Sequence, residues 1–153
     1  ENRRYIPIGI VDENTVVSNG LRLVYDLEIW LVSILSSRIH NVWIQTVAGR
    51  LETRIQYSNT ICYNSFPLPK LSNNEKLQLS ESALKILSTR ELYSDLSLVN
   101  LYDSEKMPLD LKRAHIENDL LVEKIYKESG FKSDDERLEY LMYLYEKLVN
   151  KNE

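Results

Sequence analysis

The side chains best suited to chemistry lie between positions 38 and 57, and they suit hydrogen bonding to a nucleic acid. This segment carries three arginines, three amide side chains and a histidine. The guanidinium group of arginine forms paired hydrogen bonds with the edge of guanine, and the amide group of Asn or Gln does so with adenine. Arginine also binds phosphate. The candidate DNA contacts are Arg38, His40, Asn41, Gln45, Arg50, Arg54 and Tyr57.

The same composition is also typical of a solvated polar face on an amphipathic element. From the pattern of residues alone, this plainer alternative is favoured. Trp30 and Trp43 lie on an apolar stripe, which indicates packing rather than stacking on bases. The segment therefore suits DNA contact without requiring it.

A helix followed by strands must position these residues. Asp26 is a suitable N-cap, and an apolar stripe from Leu27 to Trp43 predicts one continuous helix that contains Ser36 and Ser37. Gly49 ends it. Alternation over 50–57 predicts a strand whose polar face holds both Arg50 and Arg54. Further strands are predicted at 4–11, 15–17, 21–25 and 60–66.

The rest of the chain is predicted to be helical. The segment Pro67-Leu68-Pro69 interrupts regular structure, and capping-box patterns begin helices at Ser72 and Ser133. Pro108 suits a helix start and Gly130 a helix end. The predicted fold class is α+β, with a small mixed or antiparallel strand-and-helix segment (1–68) followed by a compact α-helical bundle (69–153).

Charge differs between the two parts of the chain. Residues 1–70 hold six Arg and one Lys against six acidic residues, a balance of +1, whereas residues 71–153 hold twelve basic and seventeen acidic residues, a balance of −5, which gives the chain its net charge of −4. Nine of the twelve basic residues after position 70 are Lys set among Glu, the usual pattern of a solvated helix surface. The division gives weak support to a binding role for the first part.

Motifs for independent catalysis are absent from the sequence. Its four glycines form no phosphate-binding loop, and His40 and His115 are expected to be partly exposed structural residues rather than metal ligands. Asp134 and Asp135 suit a first helical turn, where negative charge offsets the helix dipole. No catalytic, cofactor-binding or metal-binding residue is predicted.

The setting predicted for the chain is a reducing cytoplasm. Cys62 is the only cysteine, and it is expected to be a packed thiol. No apolar run is long enough to cross a membrane. The first residue is Glu rather than Met, so we expect a piece of a longer protein.

Four stretches resemble the end of the MmeI-like family of single-chain restriction-modification enzymes. In order, they are Arg4-Tyr5-Ile6-Pro7 with Ser18-Asn19; Ser36-Ser37-Arg38-x-His40-x-x-Trp43 with Gly49-Arg50-Leu51; Tyr57-Ser58 with Tyr63-Asn64-x-Phe66-Pro67-x-Pro69; and Leu101-Tyr102-Asp103, Met107-Pro108-x-x-Leu111, Ala114-His115 and Phe131 to Leu138.

The resemblance implies a role inside a larger DNA adenine-N6 methyltransferase. Residues 1–68 would be the C-terminal portion of a target recognition domain, and residues 69–153 would be the C-terminal helical domain. The family's Asn-Pro-Pro-Tyr-type motif does not occur here, so S-adenosylmethionine would bind to a methyltransferase domain elsewhere in the parent chain. The implied partners are double-stranded DNA, that methyltransferase domain and the remaining recognition domain. The parent would be a site-specific adenine methyltransferase, with or without a fused endonuclease.

Family resemblance also implies roles for individual side chains. Gln45 would read a base, since an amide pairs with adenine, and Arg50 and Arg54 would contact phosphate or a base. Two alternatives stand beside this hypothesis. One is an interaction module that docks on sister domains and contacts DNA only incidentally, and the other is a free-standing enzyme, which the missing motifs disfavour.

Overall fold

The computed structural model describes residues 4–16, 23–51 and 54–150. Helices dominate this part of the chain, and strand is confined to one short hairpin. In chain order, the elements are α1 (Ile29–Leu35), α2 (Arg38–Val47), β1 (Gly49–Leu51), β2 (Arg54–Gln56), a π-helix, π1 (Asn59–Tyr63), α3 (Asn73–Glu91), α4 (Leu98–Leu101), α5 (Leu109–Tyr126) and α6 (Asp134–Val149).

The prediction of one helix through Ser36 and Ser37 is wrong, because α1 and α2 are separate helices. Ser37 has extended backbone dihedrals and is the N-cap of α2. Its hydroxyl accepts from the backbone N–H of His40 at 3.5 Å and donates to the carbonyl of Ile34 at 2.6 Å. The apolar stripe continues across this break because Ile34 of α1 and Ile39 and Trp43 of α2 enter the same hydrophobic cluster.

Two predicted strands also differ from the structure. The alternating segment 50–57 folds back on itself as an antiparallel hairpin, with Arg50 paired to Ile55 and Leu51 to Arg54. The segment predicted as strand 60–66 begins as π1, whose Cys62 is buried as expected. Residues 6–11 form no strand, and neither do residues 23–25. Residues 15 and 16 form no strand either, whereas position 17 and the start of the predicted strand at 21–25 lie outside the described residues.

The helical part follows its sequence signals. Ser72 and Glu75 form a reciprocal capping box at α3, and the Ser133 hydroxyl accepts from the N–H of Glu136 at the start of α6. Gly130 adopts a positive φ of 65°, a conformation that suits glycine, in the turn between α5 and α6. It does not itself end α5 as predicted, because that helix ends at Tyr126 with its C-cap at Lys127. The predicted α+β class therefore holds only in part: the helical bundle is present, and the β contribution is one hairpin of three-residue strands.

One hydrophobic cluster joins the two parts of the chain. Its buried members are Ile34, Ile39, Trp43 and Phe66 from the first part and Leu79, Val122, Tyr126 and Leu141 from the second. A smaller cluster packs Tyr5 against Ile86, Leu101, Tyr102, Leu111 and Ala114. Residues 67–72 have no regular structure, which fits the interruption predicted at the prolines. The predicted boundary at residue 68 stays a prediction.

The described helices include none that is both long and apolar enough to cross a membrane.

Candidate functional site

Helix α2 is held at its first residue by a buried carboxylate from α5. The backbone N–H of Arg38 donates to Oδ1 of Asp119 at 2.7 Å, and the Tyr5 hydroxyl donates to Oδ2 at 3.1 Å. Asp119 is 6% exposed, and this burial raises its pKa to about 6 although both hydrogen bonds act to lower it. The carboxyl group thus joins the N-terminal segment, α2 and α5.

The side chain of Arg38 crosses to α6. Its guanidinium donates to both carboxylate oxygens of Asp134, and the Nε–Oδ1 distance is 3.1 Å. The hydrogen bond from Arg38 is the main cause of the lowered pKa of Asp134. Arg38, predicted to contact DNA, therefore already holds an acidic partner.

Arg137 extends this pair into a row of four charges. It lies 3.1 Å from Oδ1 of Asp134 through Nη1 and 2.7 Å from Oε1 of Glu123 through Nη2. The side chain of Glu123 is 7% exposed. A buried carboxylate on α5 therefore fixes the position of an arginine on α6.

The expectation that His40 and His115 are partly exposed is wrong, because both are buried. Nε2 of His40 lies 3.3 Å from the Tyr57 hydroxyl, and its ring packs edge-on against Phe66. Nε2 of His115 lies 3.0 Å from the Tyr102 hydroxyl. Burial lowers the pKa of His40 to about 3 and that of His115 to about 4. Both rings are therefore neutral core residues near pH 7.

The amides of α2 are linked to each other and to the N-terminal segment. Asn41 is buried, and its Nδ2 donates to the carbonyl of Arg4 at 2.7 Å. Gln45 is half-buried and donates from Nε2 to Oδ1 of Asn41 at 2.7 Å. Of these two candidates, Gln45 lies nearer to solvent. Tyr57 is half-buried beside His40.

A cleft of about 520 Å³ lies between α2 and the start of α6. Four of its side chains are basic and one is acidic. The lining residues come from the N-terminal segment, from α2 and from the start of α6 with the residues just before it. They are Arg4, Arg38, Gln45, Lys132, Ser133, Asp134 and Arg137. Such a cluster can bind an anion, because the cations outnumber the carboxylate that faces them.

The remaining candidates, Arg50 and Arg54, lie on the hairpin. Residues paired across an antiparallel hairpin share a face, and successive residues along a strand alternate. The register therefore places the two arginine positions on opposite faces. Their predicted shared face is wrong, because the chain turns between them. Among the described elements, the hairpin has no extensive contact with a helix.

Comparison with known proteins gives a match over nearly the whole chain. Residues 1–70 match the model of the MmeI target recognition domain, and residues 71–152 match that of the MmeI C-terminal domain. The chain belongs to the MmeI family. The family resemblance seen in the sequence is confirmed, and the two models meet within the irregular segment after the prolines.

Two relatives of this MmeI-family chain are much longer than it is. One is "DNA methyltransferase A" of Bacillus subtilis (strain 168), 44% identical over 99% of this chain and 17% of the relative. The other is a solved structure of the type IIL restriction-modification enzyme MmeI in complex with DNA. It is 37% identical to this chain and superposes with a TM-score of 0.92. The match covers 98% of this chain and 20% of the MmeI chain. The chain thus spans about a fifth of each.

Sequence reasoning missed the part of the cleft contributed by the MmeI C-terminal domain. The helix dipole is sufficient to explain Asp134 in the sequence, and no sequence pattern assigns a role to Lys132 or Arg137. Arg38 and Asp134 are 96 residues apart, so no local spacing could reveal their contact. Among the described residues, no group of three His, Cys, Asp or Glu side chains is placed to hold a metal ion.

Proposed function

We propose that this chain is the DNA sequence-recognition and supporting helical module of an S-adenosylmethionine-dependent DNA adenine-N6 methyltransferase in a restriction-modification system. One observation carries the proposal: residues 1–70 match the MmeI target recognition domain, in a chain whose fold follows that of DNA-bound MmeI closely. The chain's partners would be double-stranded DNA and the remaining domains of the parent protein.

The hairpin and the exposed end of α2 are the proposed reading elements. An element without extensive contact to the described helices suits insertion into a DNA groove, and this hairpin carries an arginine position on each face. Gln45 lies on the last turns of α2, next to the basic cleft. Because α2 is anchored to α5 by Asp119, a base-reading side chain on it would be held by a rigid element.

Replacing Gln45 tests the proposed base reading. Gln45→Ala, made in the natural full-length protein that contains residues 1–153, should change which DNA sequence is methylated, as mapped by single-molecule sequencing. Gln78→Ala serves as a matched control, because Gln78 is an exposed amide on α3. Identical methylation maps for wild type and Gln45→Ala would reject Gln45 as a reader.

Arginine substitutions on the hairpin test DNA contact itself. Arg50→Ala and Arg54→Ala should each weaken DNA binding, and a loss of discrimination at one base pair would identify a base contact. Arg113→Ala removes an exposed arginine from α5 and should leave affinity unchanged. Unchanged affinity for both hairpin variants at low and moderate salt would remove the hairpin from the interface.

Methyl transfer is proposed to take place in another part of the parent protein. The sequence has neither the family's catalytic motif nor a Gly-containing cofactor motif, so we place S-adenosylmethionine outside residues 1–153. We also propose a cytoplasmic setting. Photo-crosslinking of labelled S-adenosylmethionine to the natural protein, followed by peptide mapping, tests the cofactor's location; a label within residues 1–153 would contradict it.

A groove in the helical part favours a second role, docking on the methyltransferase domain. The groove encloses about 860 Å³ and is lined mainly by apolar side chains, including Ile10, Leu84, Leu96 and Leu98. All four are exposed, and relatives of this chain are about five times longer, so another domain is available to cover them. Leu84→Glu should lower the thermal stability of the natural protein, whereas Leu77→Glu, at an exposed leucine of α3 outside the groove, should not. Equal melting temperatures would reject this docking.

A further inference from the structure

We propose that the cleft between α2 and the start of α6 binds a phosphate group of the DNA backbone, so that the C-terminal domain contacts the duplex directly. This inference rests on the proposed DNA-recognition function and adds a site to it. The phosphate would lie among Arg4, Arg38, Lys132 and Arg137, which come from both parts of the chain.

The charge balance of the cleft supports an anion. Four basic side chains line it against the single carboxylate of Asp134. Two further carboxyl groups, those of Glu123 and Asp119, are buried next to the arginines. When they are counted together with Asp134, the four basic side chains still outnumber the three carboxyl groups. In a chain of net charge −4, this is a local concentration of positive charge. Glu136, four residues after Lys132, accepts from the Lys132 backbone N–H at 2.8 Å and is attracted by its charge, and it is ion-paired with Lys127 at 2.5 Å.

Two of the four basic side chains are held in ion pairs by carboxylates, and the other two are not. Arg38 and Arg137 are held by Asp134 and Glu123, so the guanidinium N–H groups that these carboxylates leave unused are positioned before any ligand arrives. Arg4 and Lys132 form no ion pair with the described residues, and both are exposed. Arg4 donates from Nε to the Tyr5 hydroxyl at 3.1 Å, which directs its head group. Fixed donors and free charges together are what a phosphate site requires.

The start of α6 adds a favourable field. Ser133 is the N-cap of this sixteen-residue helix and lines the cleft. The positive end of the helix dipole therefore faces the cleft, which favours an anion there. This contribution supports the basic side chains and is secondary to them.

Asp134 has a distinct effect in this arrangement. Its carboxylate accepts from both Arg38 and Arg137, so it neutralises part of the charge that a phosphate would meet. A cleft without this carboxylate would attract DNA more strongly. Asp134→Asn removes the negative charge and keeps one oxygen that can accept from the arginines, so we expect a gain in affinity, a result that loss of folding cannot imitate.

The experiment measures DNA affinity against salt concentration for the natural full-length protein. For wild type, log Kobs should fall linearly with log salt. Arg4→Ala and Lys132→Ala should each weaken binding and make the slope shallower by about 0.9, the value for one lost phosphate contact. Lys112→Ala removes an exposed lysine from α5, outside the cleft, and should change neither quantity.

Asp134→Asn should tighten binding about fourfold at low salt, the effect of removing one unit charge about 5 Å from the phosphate in water. An unchanged or weakened affinity, with a thermal melting curve like that of wild type, would contradict the role given to Asp134 and overturn the site. Methylation maps of the Arg4 and Lys132 variants should keep the wild-type sequence, since a phosphate contact reads no base.

The outcomes separate this site from the proposed function. If wild type binds DNA sequence-specifically while Arg4→Ala and Lys132→Ala bind with wild-type affinity and slope, the cleft is not a DNA site and the function stands. If wild type binds no DNA, the proposed function itself fails. If inorganic phosphate broadens the NMR signals of the cleft residues and neither variant changes DNA affinity, the cleft binds free phosphate only, which also overturns the proposal.

Discussion

The backbone N–H of Arg38 donates a 2.7 Å hydrogen bond to the carboxylate of Asp119, which lies 81 residues later in the chain. This bond satisfies a free N–H group at the first residue of α2 with an acceptor from α5. Tyr5 donates to the other oxygen, so one buried carboxyl group fixes two segments of the recognition part. The orientation of α2 therefore depends on a residue of the C-terminal domain.

Removing that acceptor should destabilise the chain. Asp119→Ala leaves the Arg38 N–H and the buried Tyr5 hydroxyl without their partner, which should cost about 2–4 kcal/mol of unfolding free energy. Urea denaturation followed by circular dichroism measures it. Asp95→Ala changes an exposed turn residue and should stay within about 0.5 kcal/mol of wild type. A loss from Asp119→Ala no larger than the control's would contradict the anchoring role.

Acid should destabilise the fold through its two buried histidines. The folded pKa values, about 3 for His40 and about 4 for His115, lie below the ordinary 6.5, so the folded state excludes protons that the unfolded state binds. Their stabilising contribution is complete above pH 6.5 and is lost as pH falls toward those values. Each should lower stability by about 1.4 kcal/mol per pH unit below 6.5.

Unfolding of His40→Gln as a function of pH tests this expectation. Gln does not titrate, so the slope between about pH 6 and pH 4 should decrease by about 1.4 kcal/mol per unit relative to wild type. The slope is compared rather than the absolute stability, which the substitution also changes. Parallel pH profiles for wild type and variant would show that His40 is protonated equally in the folded and unfolded states.

Asp119 should act in the opposite direction. Its folded pKa of about 6 lies above its ordinary 3.8, so its favourable contribution is complete below 3.8 and is lost as pH rises through 6. Asp119→Asn removes this opposing effect, and acid destabilisation between about pH 6 and pH 4 should become steeper by about 1.4 kcal/mol per unit. A profile that becomes shallower would contradict the raised pKa.

The break between α1 and α2 predicts the effect of changing its cap. Ser37→Ala removes the oxygen that accepts from His40, which should cost about 1 kcal/mol. Ser37→Gly should cost less, because glycine is itself tolerated at an N-cap. Both are measured by urea denaturation. An alanine variant as stable as wild type would indicate that the cap contributes nothing to α2.

The shared core predicts that both parts of the chain unfold together. Leu141→Ala on α6 removes a fully buried side chain from the cluster that contains Trp43, and the loss should be about 2–5 kcal/mol. Tryptophan fluorescence reports on α1 and α2, whereas circular dichroism reports mainly on the longer helices. The two transitions should coincide and shift equally. A fluorescence transition that stays in place would show that the first part unfolds independently.

Local signals in the sequence were sufficient where the determining contacts are local. The Ser72 and Ser133 caps are four-residue patterns, and both begin helices as predicted. The apolar stripe identified Ile34, Ile39 and Trp43 as core residues, and all three are buried. Hydrophobic spacing was not sufficient to show that Ser37 separates two helices, because a stripe can continue through a change of axis.

Tertiary contacts explain the remaining differences. Alternation over 50–57 predicted one strand with Arg50 and Arg54 on the same face. The structure has a turn between them, and the register of the resulting hairpin puts the two positions on opposite faces. His40 and Asn41 are polar residues with buried partners, so their chemical types gave no indication of burial. The cleft depends on Arg38 meeting Asp134 across the core, and neither residue's neighbours in sequence indicate the other.

The hydrophobic cluster spanning both family domains has a practical consequence for engineering. Transplanting a foreign recognition segment onto this helical scaffold would also replace Ile34, Ile39, Trp43 and Phe66, which must fit cavities shaped by Leu79, Val122, Tyr126 and Leu141. Chimaeras that exchange only the hairpin, residues 49–56, would leave that fit undisturbed. An exchange of the hairpin should therefore lower the stability of the chain less than an exchange of the whole first part.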